Sequence, residues 1–423
     1  MLDPNSLGGA LLAKFLRDVL VLDFTRVLAG PFCTMTLADL GARVIKIESP
    51  AGDEARGMGP FKGGNSLYFA SINRGKESVV LDLKQPAGRD AAIALAAKAD
   101  VLVENYRPGA MQRLGLGYEA LAEVNPRLIY ASLSGFGQTG PYRDRGAYDV
   151  IIQAMSGMMG ITGQVDGQPT RVGASIGDMI PALYTVGGIM GALFERTQTG
   201  EGCHIDVAMM DSVFALTENA LARFWLTGDD PAPLGNRHPA IAPFSSFATR
   251  DGLIVIACGN DALWARLCDC LELPEGIRDA RFVSNSLRTE NAAALAEYLE
   301  ARLAEKRTED WLEILLEAGV PAAKVNRMSD LADDPHLRAR NMVVPIEQDG
   351  IGTMLTPGSP IKSNRSDDRI GAPAPALGAH TRQVLEELAG LSAVESAELA
   401  ESIAANGNSG ADHQSPTHTT ESG

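Results

Sequence analysis

The strongest constraint on the fold lies in the first fifty residues, where a helix is bracketed by two short apolar runs. Asp18-Val19-Leu20-Val21-Leu22-Asp23-Phe24 reads as a buried strand. Thr25 to Pro31 is a turn that opens a helix running from Phe32 to Leu40; Gly41 ends it, and Arg43-Val44-Ile45-Lys46-Ile47-Glu48 is a second strand. Two strands joined through a helix form a βαβ unit and so belong to a parallel sheet. The alternation continues with a strand at Ser78–Leu83, a helix at Pro86–Ala99, a strand at Val101–Asn105 and another at Leu128–Leu133. The pattern predicts an α/β chain with an open parallel sheet of Rossmann type, whose ligands sit beyond the carboxyl ends of the strands. No GxGxxG follows the first strand, where LAGPFC stands instead, which disfavours a nicotinamide or flavin enzyme.

With 423 residues, 45% of them hydrophobic, the chain exceeds one typical domain. The large domain is expected over residues 16–223. It includes a Gly/Ala-rich helix at Met179–Thr197, then a further strand and helix between Gly202 and Leu216. The character changes at about 224. Ser245–Thr249 and Leu253–Ala257 read as a hairpin, followed by amphipathic helices at Asn291–Lys306 and Glu309–Ala318. This predicts a smaller α+β domain over 224–342. A strand-like return to the large domain occupies 343–395, and 396–423 reads as a disordered tail.

A formal charge of −16 disfavours nucleic acid and anionic lipid as partners. No long uninterrupted apolar run marks a membrane span, and no basic segment precedes the apolar Leu7–Ala13 stretch, so a soluble, cytoplasmic protein is expected. The five cysteines form no CxxC pair, and no His/Cys/carboxylate set has ligand spacing; neither a metal nor a permanently bound cofactor is expected. Asp178, between Gly177 and the long helix, has the local look of an N-cap.

Five segments together carry a resemblance: RVLAGPFCTMTLADLGARVIKIE (Arg26–Glu48), NRGKESVVLDLK (Asn73–Lys84), ADVLVENYRPGAMQRLGLGYE (Ala99–Glu119), SGFGQTGPYRDRGAYD (Ser134–Asp149) and GASIGDM (Gly173–Met179). In this order they resemble the class III CoA-transferase family, most closely its succinate–hydroxymethylglutarate branch. The resemblance runs from about Asp18 to Leu388. It implies an interlocked-ring homodimer and an enzyme that exchanges coenzyme A between an acyl-CoA, such as succinyl-CoA, and a free carboxylic acid. Asp178 then becomes the nucleophile, passing through a mixed anhydride and an aspartyl-CoA thioester, with backbone near Gly173 and Gly177 as candidate oxyanion donors.

The same resemblance assigns coenzyme A contacts to Val27, Leu28 and Ala29, and to Leu81, Asp82, Leu83 and Lys84. It adds Asn105, Tyr106, Arg107 and Arg113, and then Gly146, Ala147, Tyr148 and Asp149. Lys84 and Arg113 are expected to meet phosphate, Leu81 and Tyr106 the adenine or pantetheine. Three positions depart from formyl-CoA transferase: Leu28 replaces Gln, Ser49 replaces a CoA-binding Arg, and Gly146 replaces Lys. Arg26, Arg56 and Arg145 are the alternative phosphate partners. An α-methylacyl-CoA racemase on the same fold is the nearest rival, disfavoured because Tyr148 stands where racemases carry His. A noncatalytic acyl-CoA-binding protein is the third reading, and the intact Asp178 speaks against it.

Overall fold

The computed structural model describes residues 14–365, 369–370 and 372–409, with side chains as far as Glu401. The chain divides into two compact units. The larger continues to Ser156, resumes over Val172–Glu218, and takes up the chain again from Pro335; the smaller holds Gly157–Arg171 and Asn219–Asp334. The early excursion over 157–171 leaves no mark in composition or periodicity.

In the large unit a six-stranded sheet is built from β1 (Leu20–Asp23), β2 (Arg43–Glu48), β3 (Lys76–Val80), β4 (Val101–Glu104), β5 (Ile129–Ser134) and β6 (His204–Ala208). The order across the sheet is β3-β2-β1-β4-β5-β6, and every pairing is parallel. The chain winds outward from β1 to β3, returns to the other side of β1, and winds outward again. Such a reversal opens a crevice at the carboxyl ends of the two strands that flank it, here β1 and β4. Strands β1 to β5 are almost wholly buried, as expected of a parallel sheet covered on both faces, whereas the edge strand β6 buries only Ala208.

On one face a core of Leu22, Ile45, Leu102 and Tyr130 packs against Ala92 and Leu95 of α2 (Pro86–Ala96). The opposite face carries α1 (Ala29–Asp39) and, after the short α3 (Asp149–Met155), the 24-residue α4 (Ile176–Thr199). Pro31 is tolerated in α1 because a first-turn N–H has no partner within its helix. Gly30 is required there, since a Cβ would stand 2.2 Å from Thr25 Cβ. The helix α4 begins at Ile176, three residues earlier than the sequence pattern suggests. Ser175 holds the cap position and Asp178 lies inside the first turn, which corrects the N-cap reading of Asp178. By length and composition alone α4 is also apolar enough to cross a membrane.

The small unit contains a three-stranded antiparallel sheet of β7 (Phe244–Ala248), β8 (Leu253–Ala257) and β9 (Ala322–Lys324). Helices α5 (Asp261–Cys270), α6 (Ala292–Leu303) and α7 (Thr308–Glu317) surround a core of Trp264, Phe282, Leu299 and Trp311.

From Pro335 the chain forms an antiparallel pair, β10 (Val343–Gln348) and β11 (Gly352–Pro357), then α8 (Thr381–Leu388) and α9 (Ala393–Ser409). Residues 393–409 are therefore helical where a tail without structure was expected from 396; the rest of that stretch, 410–423, lies outside the described residues.

Candidate active site

A pocket of about 270 Å³ opens at the crevice between β1 and β4. Its lining comes from the turn Arg26–Ala29 after β1, from Asn105–Pro108 after β4, from Leu133–Gly135 at the end of β5, from Arg143 and Arg145–Tyr148, and from Asp178. The fold thus brings Asp178 into one cavity with Val27, Leu28, Ala29, Asn105, Tyr106, Arg107, Gly146, Ala147 and Tyr148, all expected to share a site.

Asp178 is largely enclosed, and burial is the main reason its carboxyl is pushed up to about 7; the neighbouring Asp149 carboxylate adds to the shift. Asp149 serves the backbone as well. Its Oδ1 accepts from Gly177 N at 2.8 Å and from Gln153 Nε2 at 2.9 Å. A carboxylate on α3 therefore caps the start of α4. Gly177 is needed for that approach, because a Cβ there would lie 2.9 Å from both Asp149 O and Asp149 Oδ1.

The pocket wall is basic although the chain is acidic. Arg26, Arg107, Arg143 and Arg145 all line it. Arg26 is neutralised by Glu54 at 2.5 Å and lies over the Tyr106 ring, 5.1 Å from its centroid. The Arg145 guanidinium sits 3.8 Å from the Tyr142 centroid. Neither Arg107 nor Arg145 has an acidic partner among the described residues, so both keep donors for an anion. Arg56, named as a fallback phosphate partner, is committed elsewhere: it grips both oxygens of Glu48 at 2.7 Å and stacks on Phe69.

Other expected contacts fall outside this cavity. Leu81 is fully buried among the core residues, so its side chain packs and does not face a ligand. Asp82 Oδ1 accepts from Lys84 N at 3.0 Å, and together with Leu83 these residues lie beyond the pocket wall. Arg113 is exposed, with its guanidinium close to Gly109. Asn105 does line the cavity, but it has spent its amide on backbone, donating to Arg26 O and accepting from Arg26 N, both at 2.9 Å.

Several lining residues were not singled out from the sequence: Glu54, Met58, Pro108, Ser134, Arg143 and Met209. The Ser134 hydroxyl is buried and has no hydrogen-bond partner, an arrangement that favours a polar ligand group. Its only sequence signal is a polar residue at the carboxyl end of a buried strand. Among the described residues no three His, Cys, Asp or Glu side chains are grouped to hold a metal ion.

Residues 16–381 match CoA-transferase family III. An acetyl-CoA:oxalate CoA-transferase from Acetobacter aceti is 49% identical over 84% of this chain and 91% of its own length. A succinyl-CoA:glutarate CoA-transferase from Mus musculus is 40% identical over 89% of this chain and 86% of its own. Among solved structures, a CaiB/BaiF family protein from Brucella suis superimposes with a TM-score of 0.79 at 39% identity, covering 89% of this chain and 100% of that one. The chain belongs to CoA-transferase family III and is an enzyme of that class.

Proposed function

We propose that the protein transfers coenzyme A from a short acyl-CoA, with succinyl-CoA as the leading donor, to a small dicarboxylic acid, and that Asp178 carries the acyl group. The observation behind the reading is one enclosed carboxylate set in a pocket whose other charges are mainly guanidinium groups. Asp178 attacks the thioester carbonyl, giving a mixed anhydride and coenzyme A thiolate. The thiolate attacks the aspartyl carbonyl, leaving an aspartyl-CoA thioester and releasing the donor acid. The acceptor carboxylate then attacks that thioester, and the thiolate released returns to the acceptor's carbonyl, which regenerates Asp178. Thioester energy is conserved because water never receives the acyl group, which requires an enclosed nucleophile. Arg107 and Arg145 supply charge for phosphate or for the distal carboxylate of a dicarboxylic acid.

The working form on this reading is an interlocked homodimer, soluble and without a resident metal or cofactor. In the single chain α4 leaves Leu183 and Tyr184 about half exposed and Phe194 more so. A second copy covering that face accounts for its apolar character without a membrane.

The test is a matrix of succinyl- and acetyl-CoA donors against oxalate, glutarate and related acids, read by mass spectrometry, with hydroxylamine present to trap the aspartyl thioester. Exchange by the natural protein, a hydroxamate on Asp178, and loss of both in Asp178→Ala are expected. Transfer persisting in Asp178→Ala, or no exchange with any pair, overturns the assignment.

A further inference from the structure

The turn after β1 is held in a conformation its own residues disfavour. Val27 sits at φ 66°, in the left-handed region that a β-branched residue occupies only under constraint. Two clamps impose it. Asn105 brackets the Arg26 backbone from one side. From the other, Asp53 Oδ1 accepts from Val27 N at 3.0 Å and from Ala55 N at 2.9 Å.

Asp53 is itself anchored in the interior. Its Oδ2 lies 2.8 Å from Lys46 Nζ, with the two side chains 1% and 0% exposed. The contact is an ion pair rather than a well-directed hydrogen bond, since that oxygen accepts none. Lys46 Nζ donates instead to Thr25 O at 2.8 Å, so one buried ammonium holds both the start of the turn and the carboxylate that sets its middle. Asp53 N donates in turn to Glu48 Oε2 at 3.1 Å, and Glu48 is fixed by Arg56. Arg26, Val27, Leu28 and Ala29 all line the pocket; Asp53 does not, although it borders a second cavity of about 160 Å³ that shares Arg26, Glu54 and Tyr106 with it, and Lys46 lines neither.

We propose that Asp53, backed by Lys46, is a positioning residue for acyl-CoA: it locks Val27 at positive φ, so that the Val27–Ala29 backbone is a preformed wall of the pocket before substrate arrives. This rests on the reading of that pocket as the acyl-CoA site. Preforming removes the ordering cost that a loose turn would impose on binding.

The experiment is a double-mutant cycle between Asp53→Ala and Val27→Gly, with coenzyme A affinity measured by calorimetry and Tm recorded for each variant. Removing Asp53 weakens coenzyme A binding about thirtyfold when Val27 must relax, but only about threefold when glycine, which tolerates positive φ, stands at 27. The fall in Tm is the same in both backgrounds, because each loses the same buried Lys46–Asp53 ion pair while Lys46 keeps Asp23 and Thr25 O beside it. Asp53→Asn keeps an oxygen toward Val27 N and falls between the extremes. Equal losses of affinity in both backgrounds, or none on removing Asp53, overturn the positioning role. If Asp53→Ala does not fold, Val27→Pro carries the test: proline fixes φ near about −65° and removes the N–H. Loss of coenzyme A binding is then expected with the Lys46–Asp53 pair intact, and undiminished binding overturns the proposal. Absence of coenzyme A binding by the natural protein would instead overturn the reading of the pocket, and the positioning role with it.

Discussion

At the scale of single residues, the proposed chemistry turns on one carboxyl group held away from its ordinary state. Asp178 is pushed up to about 7 by burial and by Asp149, so at neutral pH it is divided between acid and carboxylate. Only the carboxylate attacks a thioester. The expected kcat/KM therefore falls tenfold per pH unit below about 7 and levels above it. Glu104 is also pushed up to about 7, by burial above all, against hydrogen bonds from Ser132 and Tyr106 that act the other way and with a lesser push from Asp206. Glu104→Gln should leave the activity midpoint in place, which separates the two groups. Stability gives the same carboxyl a second readout. A raised carboxyl pKa means the folded state holds its proton more tightly than the unfolded chain, so stability falls as pH rises from about 4 to about 7. Asp178→Asn does not titrate. Its Tm should exceed that of the natural protein by a margin that grows across this window and is constant above it; a margin independent of pH would contradict the shift.

Among the elements, the parallel sheet was the most legible part of the chain. The runs around Leu20–Asp23, Arg43–Glu48, Val101–Glu104 and Ile129–Ser134 are short, rich in Val, Ile and Leu, and bounded by turn residues, so each is legible to within a residue or two of its observed ends. Asp178 and much of the lining of its pocket were legible only through the resemblance of their motifs, since the residues around Asp178 by themselves suggested a helix cap. What sequence order hides is how loops fold over strand ends. Leu81 and Tyr106 both follow buried strands, yet one packs into the core and the other lines the cavity. Arg143 had no distinguishing signal, and its place in the wall follows from the path of the loop after β5. The loops also distinguish basic residues that look alike in sequence. Arg107→Ala and Arg145→Ala should raise KM for acyl-CoA about tenfold to a hundredfold with little change in kcat, because anionic groups remote from the thioester keep their charge in the transition state. Lys84→Ala and Arg113→Ala, beyond the cavity, should have smaller effects that vanish with a dephospho-CoA thioester. Steady-state kinetics with both thioesters decides this, and equal effects of all four substitutions would place phosphate outside the cavity as well.

For the molecule as a whole, α4 carries two features at once: its first turn holds Asp178, and Leu183, Tyr184 and Phe194 leave an apolar face uncovered in one chain. If two copies are interlocked, dilution alone cannot separate them without unfolding. Sedimentation should then show a dimer at nanomolar concentration, with dissociation coinciding with loss of structure in denaturant; a monomer at low concentration that keeps its secondary structure would rule this out. The sheet also depends on residues far along the chain. At its edge, Val80 N donates to Thr381 Oγ1 at 3.0 Å, His380 N donates to Ser78 O at 3.0 Å, and Gly378 N donates to Ser78 Oγ at 2.8 Å. These partners are some 300 residues apart in sequence. On the ribosome, β3 is made long before the segment that covers it. At about 5–20 residues per second the nascent chain carries an open strand edge for roughly 15–60 s. Messages cut short before His380 would therefore yield chains whose β3 edge is never closed, and these should collect in the insoluble fraction of the cell.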